Sequence, residues 1–489
     1  MTGLQNKLPV DDSTGAQKKP RSTWLFFACF ILTNGLVMFS PLARASIVFY
    51  PASAFLLSLF VIKRSRAAFV GFIFWLWLLT PFIRRVVEWR SGTTSSTSAI
   101  LLAPYAAIGI AALALAPKLN LLAGRRTMPL FFALGAIGYG IVVGILHYSF
   151  SGLPQAVIAW ALPPIFALFL YAEQAEQESI YKAFEAVMVA GLLVIGAYGI
   201  YQFFMLPEWD AQWMIASDLH SIGLPEPFEV RVFSTMNSPQ VFAAFCAAGL
   251  LIALRSHLKI RFLAIPAGII ALVLSLSRTA WMGLAVGVVY LFCKISNKQR
   301  VRILAVAGCS LGISLVALQV PEVNTIVTAR FQSLANPQGD DSYQARAHDY
   351  DMLVQEMIDD PFGSGLSADT SSDQTAPGAA VARQDSSITA SLLSLGMLGA
   401  GIFALGLLLA GISIFTGTGS AASIGARATL LSIAIEAPFN NVVSGPVGFL
   451  LWCCVGLCIA ECELVNSHQP DRSPEAAQPP MSTPQVIAS

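Results

Sequence analysis

Long apolar runs, each closed by a charge or a turn residue, dominate this chain. A bilayer span takes roughly 20 apolar residues. Runs close to that length lie near residues 24–40, 46–62, 67–83, 99–116, 129–150, 153–172, 183–205, 237–254, 262–277, 280–293, 303–320, 391–416, 421–440 and 445–461. The pattern predicts an all-α polytopic membrane protein with about 14 transmembrane helices, within a range of about 12 to 14. Two tight pairs decide the register of the whole layout, 129–150 with 153–172 and 262–277 with 280–293. A hairpin read as one long helix at either place would invert everything downstream.

The polar segments divide the rest. Residues 1–22 and 467–489 read as disordered tails, and the first has no apolar stretch of the kind a cleavable signal peptide needs. Helices 1 to 11 fill 23–320 with a loop at 206–236, a large loop covers 321–390, and the last three helices fill 391–466. With the N-terminus inside, every lysine falls on the inner side. The outer side holds arginines alone, at Arg44, Arg84, Arg85, Arg90, Arg231, Arg278, Arg330, Arg346 and Arg383. This asymmetry follows the positive-inside rule and puts both termini in the cytoplasm and both long loops outside. Long outward loops are where function is to be sought.

Composition narrows the class. The chain of 489 residues is 55% hydrophobic and 12% charged, with a mean hydropathy of +0.67, against about 25% charged residues in a soluble domain. A soluble enzyme is excluded. The formal net charge of +1 leaves no global field to gather nucleic acid. Cys29, Cys246, Cys293, Cys309, Cys453, Cys454, Cys458 and Cys462 all lie in or beside apolar runs, so the outer loops carry no disulfides. Cys454, Cys458 and Cys462 share a helical face, a stripe that reads as packing before it reads as a soft-metal site.

The second long loop carries its own helix. Asp341 with Gln344 resembles a capping box, and Tyr343, Ala347, Tyr350, Val354 and Met357 recur at helical spacing until Pro361. This predicts an amphipathic helix with Arg346, His348, Asp349, Asp351 and Glu356 on its other faces, running into the turn Pro361-Phe362-Gly363-Ser364-Gly365. Two further arginines stand at the membrane boundary. Arg231 precedes Val232-Phe233-Ser234-Thr235-Met236-Asn237-Ser238-Pro239, and Arg278 sits in Ser275-Leu276-Ser277-Arg278-Thr279 between two spans with almost no loop. An arginine at that depth either reaches lipid phosphate or has an anionic partner. Guanidinium offers bidentate donors that never lose their proton, so converging arginines suit a phosphate-bearing ligand at the membrane surface.

These pieces resemble the bacterial O-antigen ligase and polysaccharide polymerase superfamily. The resemblance is carried by 231–239, by Ser277-Arg278, by the Arg346 helix with Pro361-Phe362-Gly363-Ser364-Gly365, and by Gly396-Met397-Leu398-Gly399, over roughly residues 180–415. It implies a metal-independent inner-membrane glycosyltransferase that uses no cofactor. Its donor is an oligosaccharide on undecaprenyl diphosphate, presented at the periplasmic face to a glycan acceptor. Membrane lipids, a flippase and a chain-length regulator of the same pathway are the implied partners, and nucleic acid is not among them. Arg231, Arg278 and Arg346 then match the arginines that contact the diphosphate.

One departure matters. Ligases of this superfamily carry a histidine just before the Gly-x-x-Gly span, where this chain reads Arg383-Gln384-Asp385-Ser386. A base there is Asp385, which also reads as a helix cap, or His348, which also reads as a surface histidine. The missing histidine favours a polymerase over a ligase. A lipid-linked oligosaccharide flippase is the rival from another class. Against it stand the placement of the arginines at span ends and the absence of repeated halves. Glu436, the main intramembrane acid, reads equally as a proton site or as an arginine's buried partner. A metal-dependent transferase would use Asp340-Asp341 or Asp359-Asp360, acids that more often are solvated loop charge. His147, His220, His257 and His468 show no zinc-like spacing. Trp209, Trp213, Tyr343 and Tyr350 suit either sugar stacking or an interfacial belt.

Overall fold

The computed structural model describes residues 21–95, 98–147, 153–217, 222–301, 303–305, 308, 312, 319, 350, 353–366, 386–417 and 423–467. Its long elements are α-helices: α1 (Arg21–Phe39), α2 (Ser46–Arg64), α3 (Arg66–Ser91), α4 (Ala103–Leu115), α5 (Met128–His147), α6 (Leu153–Ala172), α7 (Gln177–Met205), α8 (Glu208–Ser217), α9 (Pro239–Arg255), α10 (Arg261–Leu274), α11 (Arg278–Lys294), α12 (Ser387–Thr416), α13 (Ile424–Glu436) and α14 (Gly445–Ser467). Among the described residues, eight helical stretches are long and apolar enough to cross a membrane: Ala43–Arg64, Arg66–Ser91, Ala99–Leu122, Met128–Leu146, Leu153–Ala172, Gln174–Met205, Ser387–Thr416 and Gly445–Val465. Trp24–Phe39, Pro239–Arg255 and Arg261–Leu274 are shorter apolar helices. The span expected at 303–320 lies almost wholly outside the described residues.

Local sequence sets the helix ends. Ser65 caps α3 by accepting from the Ala68 amide, and Gly92 closes it in the left-handed conformation at φ 64. Ser238 caps α9 ahead of Pro239, the first-turn position where a missing amide costs nothing. Both tight pairs are two separate helices, α5 with α6 and α10 with α11. Helix α3 outruns its expected end at residue 83 by eight residues, which draws Arg84 and Arg85 out of the expected loop and into the buried protein.

The helices pack around an apolar core and carry apolar side chains on the outside as well. Trp24, Leu25, Ile31, Leu32 and Leu36 of α1 are exposed, whereas Phe69, Phe74, Phe166, Phe169, Phe184 and Trp452 are buried between helices. Small residues let backbones meet, as membrane helix packing requires. A Cβ on Gly196 would stand 2.8 Å from the Ala267 carbonyl carbon, and one on Gly456 2.8 Å from Ala167 Cα.

The two ends of the bundle differ chemically. At one end Glu173 joins Arg66 at 3.1 Å and Lys118 at 2.7 Å, Arg126 meets Glu463 at 3.1 Å, and Gln177 donates to the Leu457 carbonyl. Lys63 and Lys294 lie in the last turns of α2 and α11, and Lys182 lies in the second turn of α7. The other, arginine end gathers Arg84, Arg85, Arg231 and Arg278. Ile303 packs with Leu291 and Leu251 toward the lysine end, whereas Tyr350 bonds Pro438 at the arginine end.

Two motifs far apart in sequence close on each other. Helix α12 breaks at Gly396, whose φ 62, ψ −179 is a conformation open essentially to glycine alone. The groups freed by the break are taken by the Pro361–Gly365 turn. Ser364 N donates to Leu393 O, and Met397 N to Pro361 O, both at 2.9 Å. The turn is also held from α5, by Tyr139 Oη donating to Phe362 O at 3.1 Å and by Leu366 N donating to Gly140 O at 3.1 Å. A Cβ at Gly396 would be driven into the Phe362 carbonyl, on top of backbone strain of order 1–3 kcal/mol. Gly396→Ala is expected to lower the melting temperature in detergent and to speed hydrogen exchange at 361–366. Gly401→Ala, whose Cβ meets nothing within 4 Å, is expected to change neither.

Candidate functional site

The loop that follows Arg231 is built on a buried polar network. Arg85, from α3, donates through Nε to Asp210 Oδ1 at 2.7 Å, and both side chains are fully buried. Its other nitrogens take the Ser234 carbonyl at 2.5 Å, the Met236 carbonyl, and Asn237 Oδ1 at 3.2 Å. Asp210 Oδ2 in turn accepts from Tyr198 at 2.8 Å and from Gln202 Nε2 at 2.6 Å. Gln202 Oε1 receives the amides of Phe233 and Ser234 at 3.1 and 2.8 Å, which stabilises Ser234 at its positive φ of 53. The Arg85 guanidinium lies 5.0 Å from the Phe233 ring centre and 5.6 Å from that of Trp213. A buried charge is tolerated only when paired and hydrogen-bonded, and here nearly every donor has an acceptor on the loop or on Asp210.

This network delivers Arg231 to the turn that carries Arg278. Val232 N donates to Leu274 O at 3.2 Å, and Arg231 Nε donates to Ser275 O at 3.4 Å. The turn itself is held by Ser275 Oγ and Trp281 Nε1, which both donate to Leu272 O, and by Leu276 at φ 54. Arg278 is the first residue of α11 and is half-buried. Its charge therefore coincides with the positive end of a helix, where unpaired amides and the helix dipole favour an anion.

A third wall comes from α12, α13 and the large loop. Asn440 Nδ2 donates to Thr279 Oγ1 at 3.0 Å, and the Asn440 carbonyl accepts from Ser387 Oγ at 2.8 Å. Tyr350 Oη donates to Pro438 O at 2.9 Å and meets Ser386 Oγ at 3.2 Å. Residues 353–359 form the helical end of the loop segment. Its buried face differs from the expected one: Tyr350, Leu353 and Met357 pack on Leu392 and Leu393, whereas Val354 is 59% exposed. Leu353 lies on the packed side, one residue before Val354, so the apolar stripe turns by one position toward α12.

Burial, together with Asp360 and Asp359, pushes the Glu356 carboxyl up from the ordinary glutamate range. The docked segment therefore binds this proton more tightly than an undocked one. Its contribution to docking is present at low pH and is lost as pH rises through the raised value. Hydrogen exchange at 353–359, corrected for intrinsic rate, is expected to slow as pH falls through that window, and Glu356→Gln is expected to flatten the dependence.

Of the arginines expected to share a site, Arg231 and Arg278 stand on two segments that hydrogen-bond to each other through Val232 and Leu274 and through Arg231 and Ser275. Arg346, with the base candidates His348 and Asp385, lies outside the described residues, as do Tyr343, Ala347, Asp349, Asp351, Asp340, Asp341 and Arg383. Glu436 is 1% exposed and accepts from Asn440 rather than from any described arginine. Trp213 is buried against Phe233 and serves as a wall for Arg85 rather than as a sugar platform. Trp209 donates to Tyr198 and packs on Phe82 and Trp89. Among the described residues no three His, Cys, Asp or Glu side chains gather as a metal site. The cysteine stripe is buried, and Cys462 Sγ accepts from Arg427 at 3.3 Å. Arg85, Asp210, Gln202 and Asn440 escaped sequence reasoning because their roles depend on partners remote in the chain. A doubled arginine at a span end was the one available signal.

Residues 262–404 match the O-antigen ligase family. The resemblance therefore covers α10, α11, the long connection and the first half of α12. It takes in Arg278 and both motifs joined at Gly396, and leaves Arg231 outside. A search of curated proteins finds no match. The apolar helices describe a multi-pass membrane protein, and it resembles the O-antigen ligase family over that segment.

Proposed function

We propose that the arginine end of the bundle is a membrane glycosyltransferase site, and that the chain is a polymerase of bacterial surface polysaccharide, an exopolysaccharide or O-antigen. The donor is an oligosaccharide on undecaprenyl diphosphate and the acceptor a sugar hydroxyl. In this reading the protein lies in the inner membrane with both termini cytoplasmic and the arginine end periplasmic. The observation that carries it is the tie between the two arginine loops, with Arg231 Nε bonded to Ser275 O beside Arg278 at the N-terminus of α11.

The chemistry follows from charge development. The acceptor oxygen attacks the anomeric carbon from the face opposite the diphosphate. The new C–O bond forms as the bond to the diphosphate oxygen breaks, and configuration inverts. Negative charge grows on the leaving diphosphate, so fixed cations there stabilise the transition state more than the ground state. Arg231 and Arg278 supply that charge, and Arg346 is assigned beside them. The hydroxyl proton passes to Asp385 or His348. Guanidinium groups do the work a divalent cation does in other transferases, so EDTA is expected to leave transfer by the purified protein in liposomes unchanged. A need for added Mg2+ or Mn2+ would contradict the metal-independent assignment.

The second reading, a ligase delivering finished glycan to a lipid or protein acceptor, is favoured by the family that matches 262–404. The polymerase reading is preferred because Gln384-Asp385 stands where ligases carry histidine. Product length separates them. Incubation of the liposomes with lipid-linked single units is expected to yield a ladder of lipid-linked oligomers. Unextended units that move onto an added lipid acceptor would establish the ligase. The flippase and chain-length regulator named above are assigned as partners on the same basis.

A further inference from the structure

Asn440 is the point where three elements of the site are joined. Its amide nitrogen donates both to Thr279 Oγ1 and to Glu436 Oε2, each at 3.0 Å. Its carbonyl accepts from the amide and hydroxyl of Ser387, at 3.1 and 2.8 Å. Its own amide returns to Glu436 O at 2.8 Å, so residues 436–440 form one further helical turn. Thr279 directly follows Arg278 in the first turn of α11, and the Ser277 hydroxyl lies 3.4 Å from its Oγ1.

Glu436 is oddly placed for a structural acid. It is 1% exposed, and its Oε1 meets no hydrogen-bond partner among the described residues. Ser432 Oγ, one turn earlier on α13, is likewise buried and without a partner. Buried unsatisfied groups are rare and call for a reason. Below them α11 and α13 touch through backbone: a Cβ on Gly283 would stand 2.5 Å from Ser432 O, and one on Gly287 3.1 Å from Ala428 O. The two helices thus form a rigid pair, and whatever fixes the upper end of α13 also fixes the start of α11.

We propose that Glu436 and Asn440 are positioning residues for glycosyl transfer, acting through Thr279 to set the direction from which Arg278 meets the donor diphosphate. This inference rests on the function proposed above. Glu436 does not touch substrate. Its carboxylate fixes the Asn440 amide, which fixes the Thr279 hydroxyl one residue from Arg278. Arg278 acts on charge that develops in the transition state, so a misdirected Arg278 lowers turnover more than it weakens donor binding.

The test measures kcat and KM for undecaprenyl-diphosphate-linked oligosaccharide with the full-length protein in liposomes. Glu436→Ala, Asn440→Ala and Thr279→Val are each expected to lower kcat about 10- to 100-fold with donor KM within about threefold. The double variant Asn440→Ala with Thr279→Val is expected to lose no more than the worse single variant, since both break one chain of contacts. Glu436→Gln keeps the acceptor oxygen and is expected to retain more than about a third of kcat, and Thr279→Ser is expected to do the same. A Gln variant as slow as Ala would overturn the positioning role, because charge or proton exchange would then be what matters. Unchanged kcat in the three disruptive variants would overturn it too. If Glu436→Ala fails to fold, the contrast of Thr279→Val with Thr279→Ser carries the test, and equal kcat in the two overturns the proposal. Arg278→Ala, run in parallel, separates the levels. If it too leaves transfer intact, the proposed function fails, whereas its loss beside unaffected Glu436 and Asn440 variants sinks this inference alone.

Discussion

Alanine at Arg85 is expected to destabilise the folded protein by about 3–5 kcal/mol, the cost of leaving the partner of a buried ion pair alone. The side chains of Arg85 and Asp210 are both fully buried, so water cannot replace the lost partner. The guanidinium also holds the carbonyls of Ser234 and Met236 and the side chain of Asn237. Its removal therefore unmoors the loop that presents Arg231. Asp210→Ala is expected to cost a similar amount, and the double variant less than the sum, because the second change removes the charge stranded by the first. Thermal unfolding in detergent, followed by tryptophan fluorescence, measures all three. A melting temperature within about 1 °C of wild type for Arg85→Ala would mean that the network is not structural. Arg85→Lys is expected to recover little, since one ammonium cannot reach acceptors arranged around a planar fork.

Arg278→Ala and Arg231→Ala form the second case, with loss expected in turnover rather than in fold. Each removes a fixed cation opposite the leaving diphosphate, and loss of one such group typically costs 10²–10³ in kcat, about 2.7–4 kcal/mol of transition-state stabilisation. Polymer on the cell surface is expected to vanish in either variant while the protein stays inserted at normal level. Lysine at either position is expected to restore about a tenth or less, because a bidentate contact to phosphate becomes a point charge. Normal polymer from either alanine variant at normal protein level counts directly against the site. The two cases divide by readout: Arg85 moves the melting curve, and Arg278 moves the rate.

Much of the layout was legible because membrane helices announce themselves. Helices run through all the expected apolar stretches that the described residues cover, and each tight pair is two separate helices. Hydropathy says little, however, about where a helix stops once its polar residues find partners inside the protein. Helix α3 continues through Arg84 and Arg85 because Glu88 and Asp210 neutralise them, and α7 starts earlier than expected, at Gln177, which bonds Leu457 O. The motifs at 361–365 and 396–399 were visible as separate glycine-rich segments. Their mutual hydrogen bonds were not, since a helix break at Gly396 and its filling by a remote turn leave no periodic signature. The same holds for the stripe that turned from Val354 to Leu353, where one residue of shift is invisible until α12 is in place. Arg231 and Arg278 stood out as arginines at span ends, whereas Asn440 and Gln202 are ordinary amides until the loops that they hold are seen.

If lipid-linked repeat units are joined at the arginine end, the lipid-linked pool of a clean deletion strain will change in both size and leaflet. Lipid-linked intermediates and surface glycan are extracted and sized, and a periplasmic probe reports the leaflet on which the intermediates lie. Single repeat units are expected to accumulate on the periplasmic leaflet while long polymer disappears. Finished polymer accumulating on its carrier would make the protein a ligase, and units held on the cytoplasmic leaflet would make it a flippase and contradict the arginine site altogether.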